Sequence, residues 1–200
     1  GNAALGWTPD DNTLIELTGG ASDGEAAYAD RMMDGVKFMR ENIGLRARRA
    51  LDLGWLQAVE AQLYRNDVDH VMDNYSLRPF VPGMMMPMPS VSNPTRLTEG
   101  GRLTGTLAPG DSTQATLGVD TQTNEHTVRS TMNQTTMPFE AMAFTADGDF
   151  EQQGLFMEIE HALTAQSRLL GGLRADVWEV TDTRATLKNG MMTVPNPTAG

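Results

Sequence analysis

Apolar and polar residues alternate along most of this chain, a pattern typical of β-strands that have one apolar and one polar face. The clearest example is Trp55 to Met72, where Val59, Ala61 and Leu63 alternate with polar residues. Few windows repeat apolar residues at helical spacing, and 20 Gly and 10 Pro interrupt the chain. The alternation predicts seven strands: Thr13 to Gly19, Val36 to Ala47, Trp55 to Met72, Arg96 to Leu107, Ser112 to Ser130, Phe150 to Leu163 and Ser167 to Thr181.

The connections between these strands alternate strictly in length. Those at 20–35, 73–95 and 131–149 are long, and those at 48–54, 108–111 and 164–166 are short. This places every long loop at one end of an up-and-down antiparallel sheet, as in outer-membrane barrels. Soluble β-sandwiches also alternate apolar and polar residues, but their Greek-key connections seldom sort loop lengths in this way. The predicted fold class is therefore all-β, an antiparallel up-and-down meander.

The predicted strands are long and their polar faces are rich in charged side chains. Several exceed the roughly 9–11 residues of a tilted membrane strand. Seven strands with such bulky polar side chains could not readily close a small barrel, so we expect a partial segment of a large outer-membrane β-barrel. The ends of the chain show neither a signal peptide nor a closing element, and we expect residues 1–200 to be an internal segment of a longer protein.

Composition excludes some functions and narrows others. A net charge of −11 and a pI near 4.6 argue against nucleic acid as a partner. No stretch approaches the roughly 18 consecutive apolar residues of a membrane-spanning helix. The chain has 14 Met and no Cys, so it offers sulfur only as thioether. No nucleophile elbow, phosphate loop or zinc hydrolase helix is present, and we expect no enzymatic activity.

The main candidate site is the pair His70 and Met72. Residues two apart on a strand point to the same side, here the side of Glu60 and Gln62, near the long-loop end. An imidazole nitrogen together with a thioether sulfur suits copper, and thioether favours Cu(I). The pair therefore indicates copper binding. The alternative is that His70 forms an ordinary hydrogen bond and Met72 fills a gap.

Methionine is concentrated in the segments assigned to the long loops. One loop carries Met84, Met85, Met86 and Met88, which we interpret as possible accessory metal capture. Alternatively, these residues pack against neighbouring loops. His126, on a polar face near the long-loop end, is a further accessory candidate. A second long loop carries Met132, Met137 and Met142.

The chain resembles the TonB-dependent copper receptors of Gram-negative outer membranes, the OprC-type group. The resemblance spans essentially all 200 residues, and its most specific part is the block from Asp69 to Phe80. The matching segments include 6–10, 28–31, 33–35, 59–62, 69–75, 77–80, 118–120 and 124–126.

This resemblance implies a barrel of about 22 strands with a plugged lumen, in the outer membrane. It implies that copper is imported with energy that the TonB complex delivers to the plug. It also implies that His70 and Met72 are copper ligands on the barrel wall, while the plug supplies the remaining ligands, including a cysteine. The plug lies outside this chain, so the expected partners are copper, outer-membrane lipid, the receptor's own plug and, through it, TonB.

Two other classes of function stay open at the level of sequence. One is a passive porin-like or adhesin-like barrel without specific metal binding. The other is a soluble β-sandwich binding module.

Overall fold

The structure, a computed structural model, describes residues 1–189 and 192–197, and nearly all of its regular structure is β-strand. A single 3₁₀ turn, Phe139–Ala141, interrupts one loop of the described region. The strands are β1 (Asn2–Asp10), β2 (Thr13–Ser22), β3 (Asp34–Leu53), β4 (Leu56–Asp73), β5 (Val91–Gly110), β6 (Thr113–Thr131), β7 (Thr145–Thr164), β8 (Ser167–Thr181), β9 (Thr186–Asn189) and β10 (Met192–Pro195).

The first eight strands form one sheet in which each strand pairs antiparallel with the next along the chain. β9 and β10 form a separate two-stranded sheet. The predicted all-β, up-and-down meander is therefore confirmed, as is its match to a partial segment of an outer-membrane β-barrel. No helix in the described part of the chain is long and apolar enough to cross a membrane.

All seven predicted strands are present, and most of them are longer than predicted. β5 begins at Val91 and β7 at Thr145, because backbone pairing continues beyond the residues that alternate cleanly. The meander also contains β1, which the sequence pattern did not predict. In β1, glycine, alanine and proline separate the few large apolar residues, so its alternation is weak.

The loops confirm the predicted sorting by length. The connections 23–33, 74–90 and 132–144 lie at one end of the sheet, which we call the long-loop end. Two-residue turns join the strands at the other end, which we call the short-turn end.

The strict alternation gives the sheet an apolar face and a polar face. Cross-strand pairing aligns each face into rows. One apolar row contains Ala47, Ala61, Leu103, Val119, Leu155 and Ala175. The next row, on the polar face, contains Arg46, Gln62, Arg102, Asp120, Gly154 and Asp176.

Large side chains on the apolar face are exposed, which suits contact with lipid. Leu63, for example, is 61% exposed. Toward the long-loop end this face becomes charged: Arg65 pairs with Glu99 at 2.7 Å, and Glu151 faces Glu179 across β7 and β8. This charged row marks the edge where the exposed apolar side chains of this face end; the part of the sheet between it and the short-turn end is called the apolar band. Because β3, β5 and β7 have 20 residues each, a large part of each strand extends past that edge.

Candidate metal site

His70 and Met72 lie on the polar face of β4, near the long-loop end. Both are half-buried, and the strand is extended through Asp73, so the two side chains point to the same side as predicted. They lie beyond Arg65 in sequence, and therefore outside the apolar band. Across β3, His70 faces Phe38 and Met72 faces Gly35.

The His70 imidazole is stacked on its cross-strand neighbour. The ring centroids of Phe38 and His70 are 4.2 Å apart, with an angle of 26° between the planes. Nε2 of His70 is buried and has no hydrogen-bond partner. A buried polar atom without a partner is uncommon and calls for an explanation.

Gly35 makes this packing possible. A Cβ atom on Gly35 would lie 2.2 Å from the Phe38 ring and 3.4 Å from Nε2 of His70. The pairing of β3 with β4 also shifts between Gly35 and Lys37, so Val36 is an extra residue in β3. Bulges of this kind often lie beside functional sites, where they redirect side chains.

Burial lowers the pKa of His70, while the nearby charge of Asp69 acts in the opposite direction. The imidazole is therefore neutral at neutral pH. This is the protonation state that binds metal ions.

The backbone beneath His70 is fixed from the opposite face of the sheet. Asn93, which is fully buried, donates from Nδ2 to the carbonyl oxygen of His70 at 3.1 Å and to Oδ1 of Asp69 at 2.5 Å. Lys37 pairs with the other oxygen of Asp69 at 2.7 Å. Arg129 donates from Nε to Oδ1 of Asn93 at 2.8 Å. This network holds β4 and β5 together directly behind the candidate site.

The methionine-rich loop is closed at its base by Asn74. Its Oδ1 accepts a hydrogen bond from the Ser90 amide at 2.9 Å, and its Nδ2 lies 3.7 Å from the Met86 sulfur. Met86 is half-buried, whereas Met84 is fully exposed and Met85 is 72% exposed. Met88 is also exposed. The four methionines therefore differ: Met86 is held by the loop, and the other three present their side chains to solvent.

A second contact ties this loop to the loop that precedes β3. Asp34, whose side chain is almost completely buried, pairs with the Arg78 guanidinium. Arg78 Nη2 also donates to the carbonyl oxygen of Tyr28 at 2.6 Å. Hydrogen bonds from Arg78 lower the pKa of Asp34. The pair fixes one long loop against the other.

His126 has a different environment. It lies on the polar face of β6, two strands from β4, and its Nδ1 pairs with a carboxylate oxygen of Asp147. The register between β6 and β7 shifts at this point, so Asp147 is an extra residue of β7. Two strand spacings amount to roughly 10 Å, so the structure does not bring His126 to His70.

The predicted candidates do not form a dense ligand cluster. In residues 1–189 and 192–197, no group of three or more His, Asp or Glu side chains is arranged to hold a metal ion. Two methionines of the second long loop, Met132 and Met137, are exposed.

Sequence reasoning missed several residues that shape the site. Phe38 and Gly35 are remote from His70 in sequence and become its neighbours only through the register of β3 with β4. Asp34, Arg78 and Asn74 organise the loops but carry no ligand pattern. The only sequence signal was the resemblance to the OprC-type receptors, whose matching segments contain Asp34, Gly35, Asn74 and Arg78 but not Phe38.

An antiparallel meander with short turns at one end, long loops at the other and an exposed apolar face defines a segment of an outer-membrane β-barrel. Among solved structures, one named "Copper transporter OprC" matches this chain with a TM-score of 0.91 and 44% sequence identity. The match covers 99% of this chain and 31% of that one. No family model and no curated protein matches. The agreement confirms the resemblance to the OprC-type group, and the chain spans about a third of the length of that structure.

Proposed function

We propose that this chain is part of the wall of an outer-membrane receptor that binds copper at the cell surface and imports it into the periplasm. The observation that carries the proposal is the buried, unpartnered Nε2 of His70, with the thioether of Met72 on the same face. The similarity over 99% of the chain to a structure named as a copper transporter supports it.

The chemistry of the pair favours copper over harder metals. Imidazole and thioether are soft or borderline ligands, whereas magnesium and calcium require oxygen. Across the sheet, the neighbours of His70 and Met72 are Phe38, Gly35 and Ser92, none of which is a carboxylate. His70 and Met72 would bind from the wall, and the plug of the full-length receptor would provide the remaining ligands.

The methionine-rich loop would concentrate metal above this site. Met84, Met85 and Met88 expose their side chains, so they are the members of the loop that would meet an incoming ion. Met86 is held against Asn74 and would mainly maintain the shape of the loop. His126 would act only as an accessory group, because its Nδ1 is paired with Asp147.

Import against a gradient requires energy, which the TonB complex would supply through the plug. This coupling separates the proposed receptor from a passive porin. Uptake by the receptor would stop when the proton-motive force is collapsed, whereas diffusion through a porin would continue.

The test is copper uptake by cells that express the full-length receptor with Met72→Leu. Leucine keeps the apolar volume of the side chain but removes its sulfur. We therefore expect copper uptake at low copper concentration to fall about tenfold. This is the low end of the losses in metal affinity or activity that follow when residues around a metal are changed. Met157→Leu is the matched control, because Met157 lies on the apolar face near the short-turn end, and it should leave uptake unchanged. Equal uptake by the Met72→Leu variant and the parent, or uptake that persists without the proton-motive force, would contradict the proposal.

A further inference from the structure

β5 carries a proline in the middle of the sheet, directly opposite His70. Met72 pairs with Ser92, so Pro94 lies across from His70, two residues along each strand. A proline has no backbone N–H, so inside a sheet it removes a hydrogen bond from the ladder, and it is normally confined to edge strands. β5 is a central strand, since both β4 and β6 pair with it. The proline therefore weakens the sheet at the residue that carries the candidate imidazole.

The backbone pairing of β4 with β5 is interrupted at this proline. Within these two described strands, pairing runs as far as Asp69 and resumes at Met72, but it skips His70 and Val71. In an antiparallel pair, alternate residues exchange both of their backbone hydrogen bonds. A gap at these two positions is expected when the N–H that Pro94 lacks would have pointed at the carbonyl oxygen of His70. In these strands the ladder therefore fixes Met72 but gives the His70 carbonyl no donor from β5.

The side chain of Asn93 supplies the missing donor. Its Nδ2 donates to the carbonyl oxygen of His70 at 3.1 Å, in place of the N–H that Pro94 lacks. The same nitrogen bonds Oδ1 of Asp69 at 2.5 Å, so both amide protons are used. Asn93 is fully buried, and its Oδ1 accepts from Nε of Arg129 at 2.8 Å. Because an arginine only donates, this bond identifies the amide oxygen and turns the NH₂ group toward β4.

Arg129 is itself held by the long loop between β6 and β7. Its guanidinium carbon lies 4.9 Å from the ring centroid of Phe139 and 4.3 Å from that of Phe144. A guanidinium over an aromatic ring is attracted by it. Nη1 of Arg129 also donates to the carbonyl oxygen of Glu140 at 3.4 Å. The orientation of the Asn93 amide therefore depends on how this loop packs against β6.

From these contacts we infer that Asn93 is a positioning residue for the proposed ligand His70, an inference that rests on the proposed copper function. Pro94 frees the His70 carbonyl from the ladder. Asn93 then sets the position of the His70 backbone, and with it the position of the imidazole. Met72 has no such need, since it pairs with Ser92 in the ladder. Residues that orient a metal ligand typically contribute about 10- to 100-fold to metal affinity or activity.

The experiment is a double-mutant cycle on the purified full-length receptor, with Cu(I) affinity measured anaerobically against a competing chelator. Asn93→Ala should weaken Cu(I) binding about tenfold. Pro94→Ala restores a backbone N–H opposite His70, so in that background Asn93→Ala should weaken binding less than about threefold. Asn124→Ala is the matched control, and it should leave the affinity unchanged. The Asn124 amide also bridges two strands, since it donates to Thr98 at 2.8 Å, but it does not contact His70.

X-ray absorption spectra of the copper-loaded receptor separate positioning from a general loosening of the site. Asn93→Ala should weaken the nitrogen contribution and leave the sulfur contribution of Met72 in place, whereas general loosening would weaken both. Equal losses of affinity from Asn93→Ala in the two backgrounds would overturn the inference. A parent-like affinity in Asn93→Ala would overturn it as well.

Arg129→Leu provides a second measurement if Asn93→Ala does not fold. It keeps Asn93 but removes the donor that orients the amide, so Cu(I) affinity should fall by a smaller factor, about threefold. In that case an unchanged affinity in Arg129→Leu would refute the positioning role.

His70→Ala separates the two proposals. If His70→Ala weakens Cu(I) binding while Asn93→Ala does not, only the positioning role fails. If His70→Ala leaves Cu(I) binding unchanged, the copper site itself is wrong.

Discussion

His70 and His126 lie on the same polar face, near the same end of the sheet, and each lies beside a bulge in a neighbouring strand. Their surroundings are nevertheless opposite in kind. The imidazole of His70 is stacked on Phe38, and its Nε2 has no partner. The imidazole of His126 is paired with Asp147.

The difference shows that position on the polar face does not by itself make a histidine a ligand. At His126, the bulge brings a carboxylate to the ring and satisfies one nitrogen. At His70, the bulge and Gly35 bring an aromatic ring, which buries the nitrogen without satisfying it. Only the second arrangement leaves a buried ring nitrogen without a hydrogen-bond partner.

The largest expected effect separates the two histidines directly. His70→Ala removes a proposed ligand. It should weaken binding of Ag⁺, a redox-stable substitute for Cu(I), by the full-length receptor more than about 100-fold, beyond the usual effect of altering a supporting residue. His126→Ala should weaken it no more than about threefold, since His126 is an accessory group. Isothermal titration calorimetry gives the Ag⁺ affinity of each variant. Similar losses of affinity in the two variants would show that the different surroundings of the two imidazoles do not affect binding.

A smaller effect is expected from Gly35→Ala, which tests the packing behind His70. The added Cβ would overlap the Phe38 ring, so the ring must move and the His70 imidazole loses its support. We expect about a tenfold loss of Ag⁺ affinity, comparable to the disturbance of a supporting shell. Gly83→Ala is the control, because a Cβ there meets nothing within 4 Å. Undiminished binding by Gly35→Ala would mean that the stacked ring does not hold His70.

The smallest effect concerns pH. Because burial lowers the pKa of His70, the imidazole stays neutral, and binding persists, at more acidic pH than for an exposed histidine. An imidazole with the ordinary pKa near 6.5 loses about fourfold in metal affinity between pH 7.5 and 6.0 through competition with protons. His70 should lose less affinity than this over the same range.

Phe38→Ala exposes the His70 imidazole and so removes part of the burial that lowers its pKa. Protons should then compete with the metal at higher pH in this variant than in the parent. Metal affinity measured across this pH range in the parent and in Phe38→Ala tests the direction of this shift. An acid loss that begins at the same pH in both would contradict it.

Much of the fold could be predicted from the sequence because alternation is a local signal. Val59, Ala61 and Leu63 define their own strand and face without reference to any other segment. Likewise, the placement of His70 and Met72 on one face follows from a period of two. β1 was missed because its small residues weaken the alternation, although backbone pairing with β2 forms it all the same.

The environment of the site could not be predicted, because it depends on register. One extra residue at Val36 decides that Phe38, rather than a neighbour, faces His70. The ion pair of His126 likewise depends on the bulge at Asp147. Neither bulge has a recognisable sequence pattern, since both arise from the way two long strands fit together.

The most direct test of the central claim is X-ray absorption spectroscopy of copper bound to the full-length receptor. We expect nitrogen and sulfur among the atoms bound directly to copper. We also expect the sulfur contribution to fall in Met72→Leu and the nitrogen contribution to fall in His70→Ala. A shell of oxygen and nitrogen alone, or a spectrum that neither variant changes, would contradict it.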